Sequence, residues 1–367
     1  MDYRLQHVPY AALPGWQSDD PTPLFAALER CRRHVLKVKP YKTGSLGITA
    51  GELLTALNAA THVHPRNAAQ AREFFETEFQ PFQIIPDSGS GFVTAFYEPE
   101  VDVSATRTSE FAYPFYRRPV DLVDIDNSNR PDGWDASYAF GQKIASGIVS
   151  YADRQSIELG FLEGQGLEIA FARSKADVFF THVQGAARLR YPDGTIGRIT
   201  YAAKSGHPFT PIGKLLIERG EIAAADISMN SIRSWLAENP ECMDEVLWRN
   251  RSFIFFREAP VDDSDLGPIA AAKVPLVAGR SLAVDKSIHT FGLPFFVSSE
   301  SLTHMDDGPF QRLMLALDTG SAIVGPARGD IFTGSGDAAG ALASGVRNAA
   351  DFYLLIPNAA AARYRHD

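Results

Sequence analysis

The sequence predicts a mainly β protein with a helical N-terminal segment, built as two domains or as one domain with a large insertion. Three observations carry this. The chain has 367 residues, more than one ordinary core accommodates. Apolar residues recur at helical spacing through the first third. The last hundred or so residues break into short apolar runs punctuated by glycine, a pattern that points to a closed barrel.

In chain order, Leu24, Leu28, Cys31 and Val35 form the first helical stripe, after a lead-in rich in Pro and Asp. Leu53, Leu54 and Leu57 form a second, and Phe74, Phe75 and Phe79 a third. All three read as core packing. Further on, Val178–Gln184 and Arg188–Tyr191 read as strands, Pro192-Asp193-Gly194 as a turn, and Ile196–Ala202 as the returning strand. Two helices follow: Pro211–Arg219, with Pro near its start and Gly220 just past its end, and Ser228–Glu238, with Ser228 as N-cap and Ile232, Trp235 and Leu236 inward. The acidic stretch Val261-Asp262-Asp263-Ser264-Asp265 reads as a linker. The runs beyond it are Pro275–Val277, Leu282–Val284, Pro294–Val297, Leu313–Leu317, Asp330–Thr333 and Phe352–Ile356.

Composition narrows the function. Hydrophobic residues are 45 % and charged residues 22 %, the balance of a soluble globular protein. The net charge of −9 argues against a nucleic-acid partner, whose phosphates it would repel. The two cysteines, Cys31 and Cys242, support neither a disulfide framework nor a metal site and read as two buried free thiols. The histidines are scattered, so no metal or other cofactor is expected. No apolar run is long enough to span a membrane. The opening Met-Asp-Tyr-Arg-Leu-Gln-His-Val-Pro has neither the charged nor the apolar region of an export signal.

Three aspartates fall at predicted strand ends: Asp285 in Ala-Val-Asp-Lys-Ser, Asp318 in Ala-Leu-Asp-Thr-Gly and Asp330 in Arg-Gly-Asp-Ile-Phe. An aspartate after a strand ordinarily satisfies the amides of a turn. Asp330 stands out because Gly329 precedes it and the apolar Ile331-Phe332 follows. Apolar walls penalise the charged form of a carboxyl group and keep it able to donate a proton. Asp318-Thr319-Gly320-Ser321 also matches the active-site motif of pepsin-like aspartic proteases. Such enzymes need two copies, because two carboxylates share one proton. The nearest second copy, Asp87-Ser88-Gly89-Ser90, follows Pro86 and lacks an apolar strand.

Several segments, in order, carry a resemblance to a known family. Thr94-Ala95-Phe96-Tyr97-Glu98-Pro99, followed by Tyr113-Pro114-Phe115-Tyr116, resembles a Thr-Gly-Tyr-Tyr-x-Pro then Tyr-Pro-x-Tyr block. Phe179-Phe180-Thr181-His182-Val183-Gln184-Gly185 resembles a segment ending in Val-Gln-Gly. Tyr201-Ala202-Ala203-Lys204-Ser205-Gly206 resembles Tyr-Ala-x-x-Asn-Gly. Ser228-Met229-Asn230-Ser231-Ile232-Arg233 and Asn250-Arg251-Ser252-Phe253 complete the middle, and Asp285, Asp318 and Asp330 match three aspartates of a C-terminal "three-D" domain. Together these resemble membrane-bound lytic murein transglycosylase A over residues 92 to about 357.

The resemblance implies a double-psi β-barrel built from both chain ends (1–99 and 263–367) and a smaller β-rich domain inserted at 100–262, with a groove between them. It implies a monomeric peptidoglycan lytic exotransglycosylase of the periplasm or cell envelope, associated with the outer membrane. The catalytic acid/base carries over to Asp330, with Asp318 and Asp285 in support. Thr94, Tyr97, Gln184, Gly185, Lys204, Gly206 and Ser228 are implied to line the groove. Lys204 would suit the carboxylates of the substrate's peptide. Where the family has Gln-Gly-Ser-Gly this chain has Gln184-Gly185-Ala186-Ala187, and it has Ser205 for Asn and Ala95 for Gly. These departures touch sugar contacts rather than the reaction class. A wall-binding protein without catalysis is the alternative, and it would be expected to lack the acid.

Overall fold

The computed structural model describes residues 3–135, 138–261, 263 and 265–365. The chain divides into two compact units: a terminal unit of Met1–Tyr97 with Asp263–Asp367, and an inserted unit of Glu98–Asp262. Of the acidic stretch read as a linker, Asp262 and Ser264 lie outside the described residues.

The terminal unit starts with three helices whose ends are written locally. Leu24–Lys37 buries Leu24, Leu28, Cys31 and Val35 on one stripe. Ala50–Ala60 is held by a capping box: Thr49 Oγ1 accepts from the Glu52 amide at 3.2 Å, and the Glu52 carboxylate accepts from the Thr49 amide at 2.9 Å. Asn67 caps Ala68–Glu78 through the Gln70 amide. Phe74 and Phe75 of that helix and Phe79 just beyond it are buried. Full burial of each such ring contributes roughly 1.5–3 kcal/mol relative to exposure.

These helices accompany a nine-stranded sheet. From edge to edge its strands are Tyr3–His7, Phe79–Pro86, Asp351–Pro357, Pro294–Ser299, Phe310–Asp318, Ser281–Val284, Arg328–Ser335, Phe92–Glu98 and Arg347–Ala349. Most neighbours are antiparallel, but Ser281–Val284 runs parallel to Phe310–Asp318. The order is open, with Tyr3–His7 and Arg347–Ala349 at its edges, so the pairings do not draw the closed barrel expected from the short runs. A helix also interrupts the region expected to be all strand, at Gly336–Ser344. Pro275–Val277 is not a strand; Pro275 makes only an isolated bridge to Ile269.

The inserted unit is mixed helix and strand rather than β-rich. A six-stranded sheet runs Ile254–Ala259, Ile196–Lys204, Ala186–Arg190, Glu100–Ser104, Glu168–Ala172 and Tyr113–Tyr116, and a three-stranded one runs Leu122–Asp124, Phe140–Ile144 and Gly147–Val149. The expected strand Val178–Gln184 is a helix, Lys175–Gln184. Its aromatic and β-branched residues favour a strand, but the ends decide otherwise. Ser174 accepts from the Asp177 amide at the start, and Gly185 closes the end at φ +77°. Val178, Phe179, Phe180, Thr181 and His182 are all buried, so no polar face betrays the helical period. The helices Ile212–Glu218 and Met229–Glu238 match the sequence reading, the second with Ser228 as N-cap. Both cysteines are free; Cys31 is buried, whereas Cys242 is only partly so.

Candidate active site

Asp330 lies inside the strand Arg328–Ser335, not at its end. Its neighbours Gly329 and Ile331 face the core, so its own side chain faces the other way, by the two-residue period of a strand. Gly329 is needed there. A Cβ at that position would sit 2.8 Å from the Phe352 ring and 2.9 Å from a Leu282 methyl. The small residue before the aspartate therefore answers to packing beneath the sheet, while the aspartate works on top.

Register then gathers the site. Ala283 pairs with Asp330 on one side and with Asp318 on the other. Directly paired residues share a sheet face. The two carboxyl groups thus flank one alanine, with their backbones two strand spacings apart, about 10 Å. Beyond Asp330 the next strand supplies Thr94, whose hydroxyl donates to Asp330 Oδ1. Arg328 Nη2 donates to Thr94 Oγ1 at 2.7 Å, which fixes that hydroxyl as donor toward Asp330, and the guanidinium lies over the Phe92 ring. Asp330 Oδ2 makes no protein hydrogen bond among the described residues.

Burial pushes the proton affinity of Asp330 up, against the opposing pull of the Thr94 hydroxyl and the Arg328 charge. Burial likewise pushes Asp318 up to about 6, and the Asp330 charge adds to the rise. The amides of Thr319 and Ala271 and the Lys273 charge hold Asp318 back. The Ala271 amide donates to Asp318 Oδ1 at 3.2 Å, from a turn in which Lys273 takes a left-handed φ of 63°. A non-glycine residue in that region is strained and is held by its surroundings. Here Ala272 is fixed on both sides: its carbonyl accepts from Tyr41 at 2.9 Å and its amide donates to Leu317.

Asp285 does different work. Burial alone would raise it, but Ser287 and the amides of Gly325 and Ser287 hold its carboxyl below the usual range. It ties a turn to the Gly325 loop through bonds of 2.6–2.9 Å and makes no hydrogen bond to Asp318 or Asp330. The protease motif also finds no dyad: Asp318 has Asp330 as its acidic neighbour, whereas Asp87 is exposed in the connection between Phe79–Pro86 and Phe92–Glu98. Tyr97 is partly buried with its ring packed on the helix Gly336–Ser344, where a Cβ at Gly340 would meet it at 2.8 Å.

The five residues singled out in the inserted unit form no comparable chemical centre. Gln184 ends its helix with Nε2 3.8 Å from Met229 Sδ, which brings it beside Ser228. The Ser228 hydroxyl is engaged in its helix cap, accepting from the Ser231 amide at 3.0 Å. Gly185 serves as the C-cap, and its carbonyl accepts from Tyr201. Gly206, at φ +89°, lets the chain pass Phe140, whose carbonyl a Cβ would meet at 2.4 Å. Lys204 ends the strand Ile196–Lys204. Ala186 and Ala187 are buried, so that departure from the family pattern falls in packed interior. Among the described residues no cluster of His, Cys, Asp and Glu could hold a metal ion.

Of the residues singled out from the sequence, the structure brings Asp330, Asp318 and Thr94 onto one sheet face. Sequence reasoning missed Ala283, the Arg328 contact and the Ala271 amide. No spacing rule could have found them, because each depends on which strands become neighbours.

Comparison with known proteins finds relatives along most of the chain. A family model described as the MltA specific insert domain matches residues 92–257, and one described as the 3D domain matches residues 280–356. Membrane-bound lytic murein transglycosylase A of Escherichia coli K12 is 33 % identical over 255 residues, which cover 67 % of this chain and 60 % of that protein. The chain thus matches about 60 % of the length of that curated relative. A crystal structure of membrane-bound lytic murein transglycosylase from Agrobacterium tumefaciens is 62 % identical, with a TM-score of 0.94 over 99 % of this chain and 100 % of that one. MltA from Neisseria gonorrhoeae, in a monoclinic form, is 31 % identical, with a TM-score of 0.78 over 97 % and 92 %. E. coli MltA with bound chitohexaose is 26 % identical, with a TM-score of 0.69 over 97 % and 95 %.

Fold and family models agree on one class, the lytic murein transglycosylases. Within it, the chain belongs to the membrane-bound lytic murein transglycosylase A family.

Proposed function

We propose that this protein is a peptidoglycan lytic transglycosylase with Asp330 as its acid/base. The observation that carries the reading is the state of one carboxyl group. Burial raises its proton affinity, Thr94 holds Oδ1, and Oδ2 is left open to carry the proton. That proton passes to the glycosidic oxygen between N-acetylmuramic acid and N-acetylglucosamine, and the bond from that oxygen to the muramyl anomeric carbon breaks. The carboxylate so formed takes the proton of the muramyl C6 hydroxyl as its oxygen bonds to the same carbon. The product is a 1,6-anhydromuramyl end, and Asp330 is protonated again. An attacking group within the substrate replaces water, which favours ring closure entropically. No metal or cofactor enters these steps.

Asp318 lies beyond Ala283 on the same face, where like charge disfavours ionising both carboxyl groups at once. Thr94 and Arg328 fix the orientation of the carboxyl group. Tyr97, Gln184, Gly185, Lys204, Gly206 and Ser228 are read as substrate-facing through the family pattern, Gly185, Gly206 and Ser228 chiefly by shaping backbone. The proposed substrate and the naming of its relatives as membrane-bound support a reading of the protein as one of the cell envelope. Among the described residues no helix is long and apolar enough to cross a membrane.

One observation favours a second reading. Two carboxyl groups on a shared face are also the equipment of an inverting glycosidase, in which the second activates water. Mass spectrometry of muropeptides from digested sacculi separates the two. Anhydro ends are expected; reducing ends alone, heavier by one water, would establish hydrolysis and end the transglycosylase assignment.

A further inference from the structure

We propose that Arg347 forms a carboxylate-binding subsite on the sheet face that carries Asp330, and that it reads the acidic substituent of a muramyl residue. The proposal rests on the transglycosylase reading and adds to it the chemical group recognised and the direction in which it lies.

The placement follows from register. Arg347 pairs directly with Thr94 on the edge strand Arg347–Ala349. The next residue along each strand, Asn348 and Val93, pairs in turn, and Val93 is core. Thr94 and Arg347 therefore share the opposite face, the one that holds Asp330. Across that face the order is Arg347, Thr94, Asp330, Ala283, Asp318. Arg347 stands two strand spacings from Asp330, about 10 Å between backbones, as far on one side as Asp318 on the other.

The two arginines near Asp330 differ in their engagements. Arg328 is committed to Thr94 Oγ1 and the Gly329 carbonyl. Arg347 is exposed, and its guanidinium makes no ion pair or hydrogen bond among the described residues. The backbone beneath it is nevertheless fixed. Val346 is buried in the core, Asn348 Nδ2 donates to Ser301 Oγ at 3.0 Å, and the Ala350 amide donates to the Gly91 carbonyl at 3.0 Å. A free guanidinium on a rigid strand is pre-organised for a planar, two-pronged anion.

Charge along the row gives direction. The acids Asp330 and Asp318 occupy one end of the row and the positive Arg347 the other, with Arg328 two residues before Asp330 on its own strand. A glycan lying along this face is repelled at Asp318 and attracted at Arg347 wherever it carries a carboxylate. In peptidoglycan the muramyl residues alone carry one, either free on the lactyl group or within the attached peptide. A chitin oligosaccharide carries none.

The test measures binding in the Asp330→Asn protein, in which turnover is expected to fall about 10⁴-fold. Three ligands are compared: chitohexaose, glycan oligosaccharides with free lactyl carboxylates, and the same oligosaccharides carrying peptides. Adding Arg347→Ala is expected to weaken binding of a carboxylate-bearing glycan about 5- to 10-fold, as for a partly exposed charged pair. Chitohexaose affinity should not change, the difference should shrink at high salt, and Arg347→Lys should restore part of it. A loss confined to the lactyl form assigns the lactyl carboxylate; a loss confined to the peptide form assigns the peptide. Equal affinity for all three ligands with and without Arg347 overturns the proposal, and so does an equal loss that includes chitohexaose. If the protein binds none of the three and the wild type yields no anhydro product, the transglycosylase reading itself falls, and this proposal with it.

Discussion

One charged cluster in each unit shows two opposite ways of handling charge. In the inserted unit, buried charge is matched on nearly every side. Arg154 is fully buried; it donates to the carbonyls of Asn250 and Ser252, to Glu158 and to His182 Nδ1 at 2.7–3.1 Å. It also lies against the rings of Phe179 and Phe253. Because Nδ1 accepts from an arginine, the His182 imidazole is neutral, and burial drives its proton affinity far down. Glu98, equally buried, is gripped by Arg198 at 2.7 Å and Arg188 at 3.1 Å. In the terminal unit, Asp318 and Asp330 sit partly exposed on a sheet face with proton affinities raised rather than lowered. Matched charge holds a fold in place. On the proposed mechanism, mismatched charge is kept where a proton moves, at some expense in stability.

The largest expected effect breaks the terminal unit's chemistry and spares its fold. Asp330→Asn keeps the shape and removes the transferable proton. On the proposed mechanism one group serves both proton transfers, so release of anhydromuropeptides should fall by about 10⁴-fold, the upper end for general acid/base catalysis. The melting temperature should hold or rise. Near wild-type turnover would end the mechanism.

Arg154→Met should do the reverse in the inserted unit. It strands the buried carbonyls of Asn250 and Ser252 and leaves Glu158 with Trp248 and Lys175 alone, and losing one member of such a buried cluster costs about 3–5 kcal/mol. The expected result is a large drop in the unfolding midpoint, with turnover per folded molecule little changed. An unaltered midpoint would mean that the cluster is not structural.

Thr94→Val tests the bond that restrains Asp330. Thr94 lowers the proton affinity of Asp330, so its removal should shift the alkaline limb of the pH–rate profile upward. Loss of orientation should reduce kcat by about 10-fold, a fraction of what a full acid/base group contributes. A lower rate with no shift of the limb would assign Thr94 to positioning alone.

The smallest effect is on stability at Asp318. Its folded-state affinity, about 6, lies above the usual carboxyl value near 4. The folded protein therefore holds this proton more tightly than the unfolded chain, and that stabilisation is lost as pH rises from about 4 through 6. Asp318→Asn has no such charge to bury. It should be more stable than wild type above pH 6 by on the order of 1–2 kcal/mol, and no more stable at pH 4. Chemical unfolding at the two pH values reads this directly, and a variant less stable at both would mean that the charge is not penalised.

Much of this protein is set by local sequence. Thr49 with Glu52, Asn67 and Ser228 begin helices because a side-chain oxygen three residues before an amide satisfies it in place. The Leu24 to Val35 stripe needs only helical geometry to face one way. Asp330 could be singled out because Gly329 and Ile331 adjoin it. Local signals fail where burial removes contrast, as in Lys175–Gln184, whose helix no polar face announces. They fail entirely for the site's geometry. Thr94 and Asp330 are 236 positions apart, and Asp318 and Asp330 are aligned only because Ser281–Val284 comes to lie between their strands. The sequence by itself determined which residues could hold a proton, a cap or a core position, since those properties belong to a side chain and its near neighbours. Only the tertiary structure decided that Ala283 separates two acids, that Arg328 turns a threonine toward one of them, and that Arg347 shares their face, because strand order and register arise from packing of the whole chain.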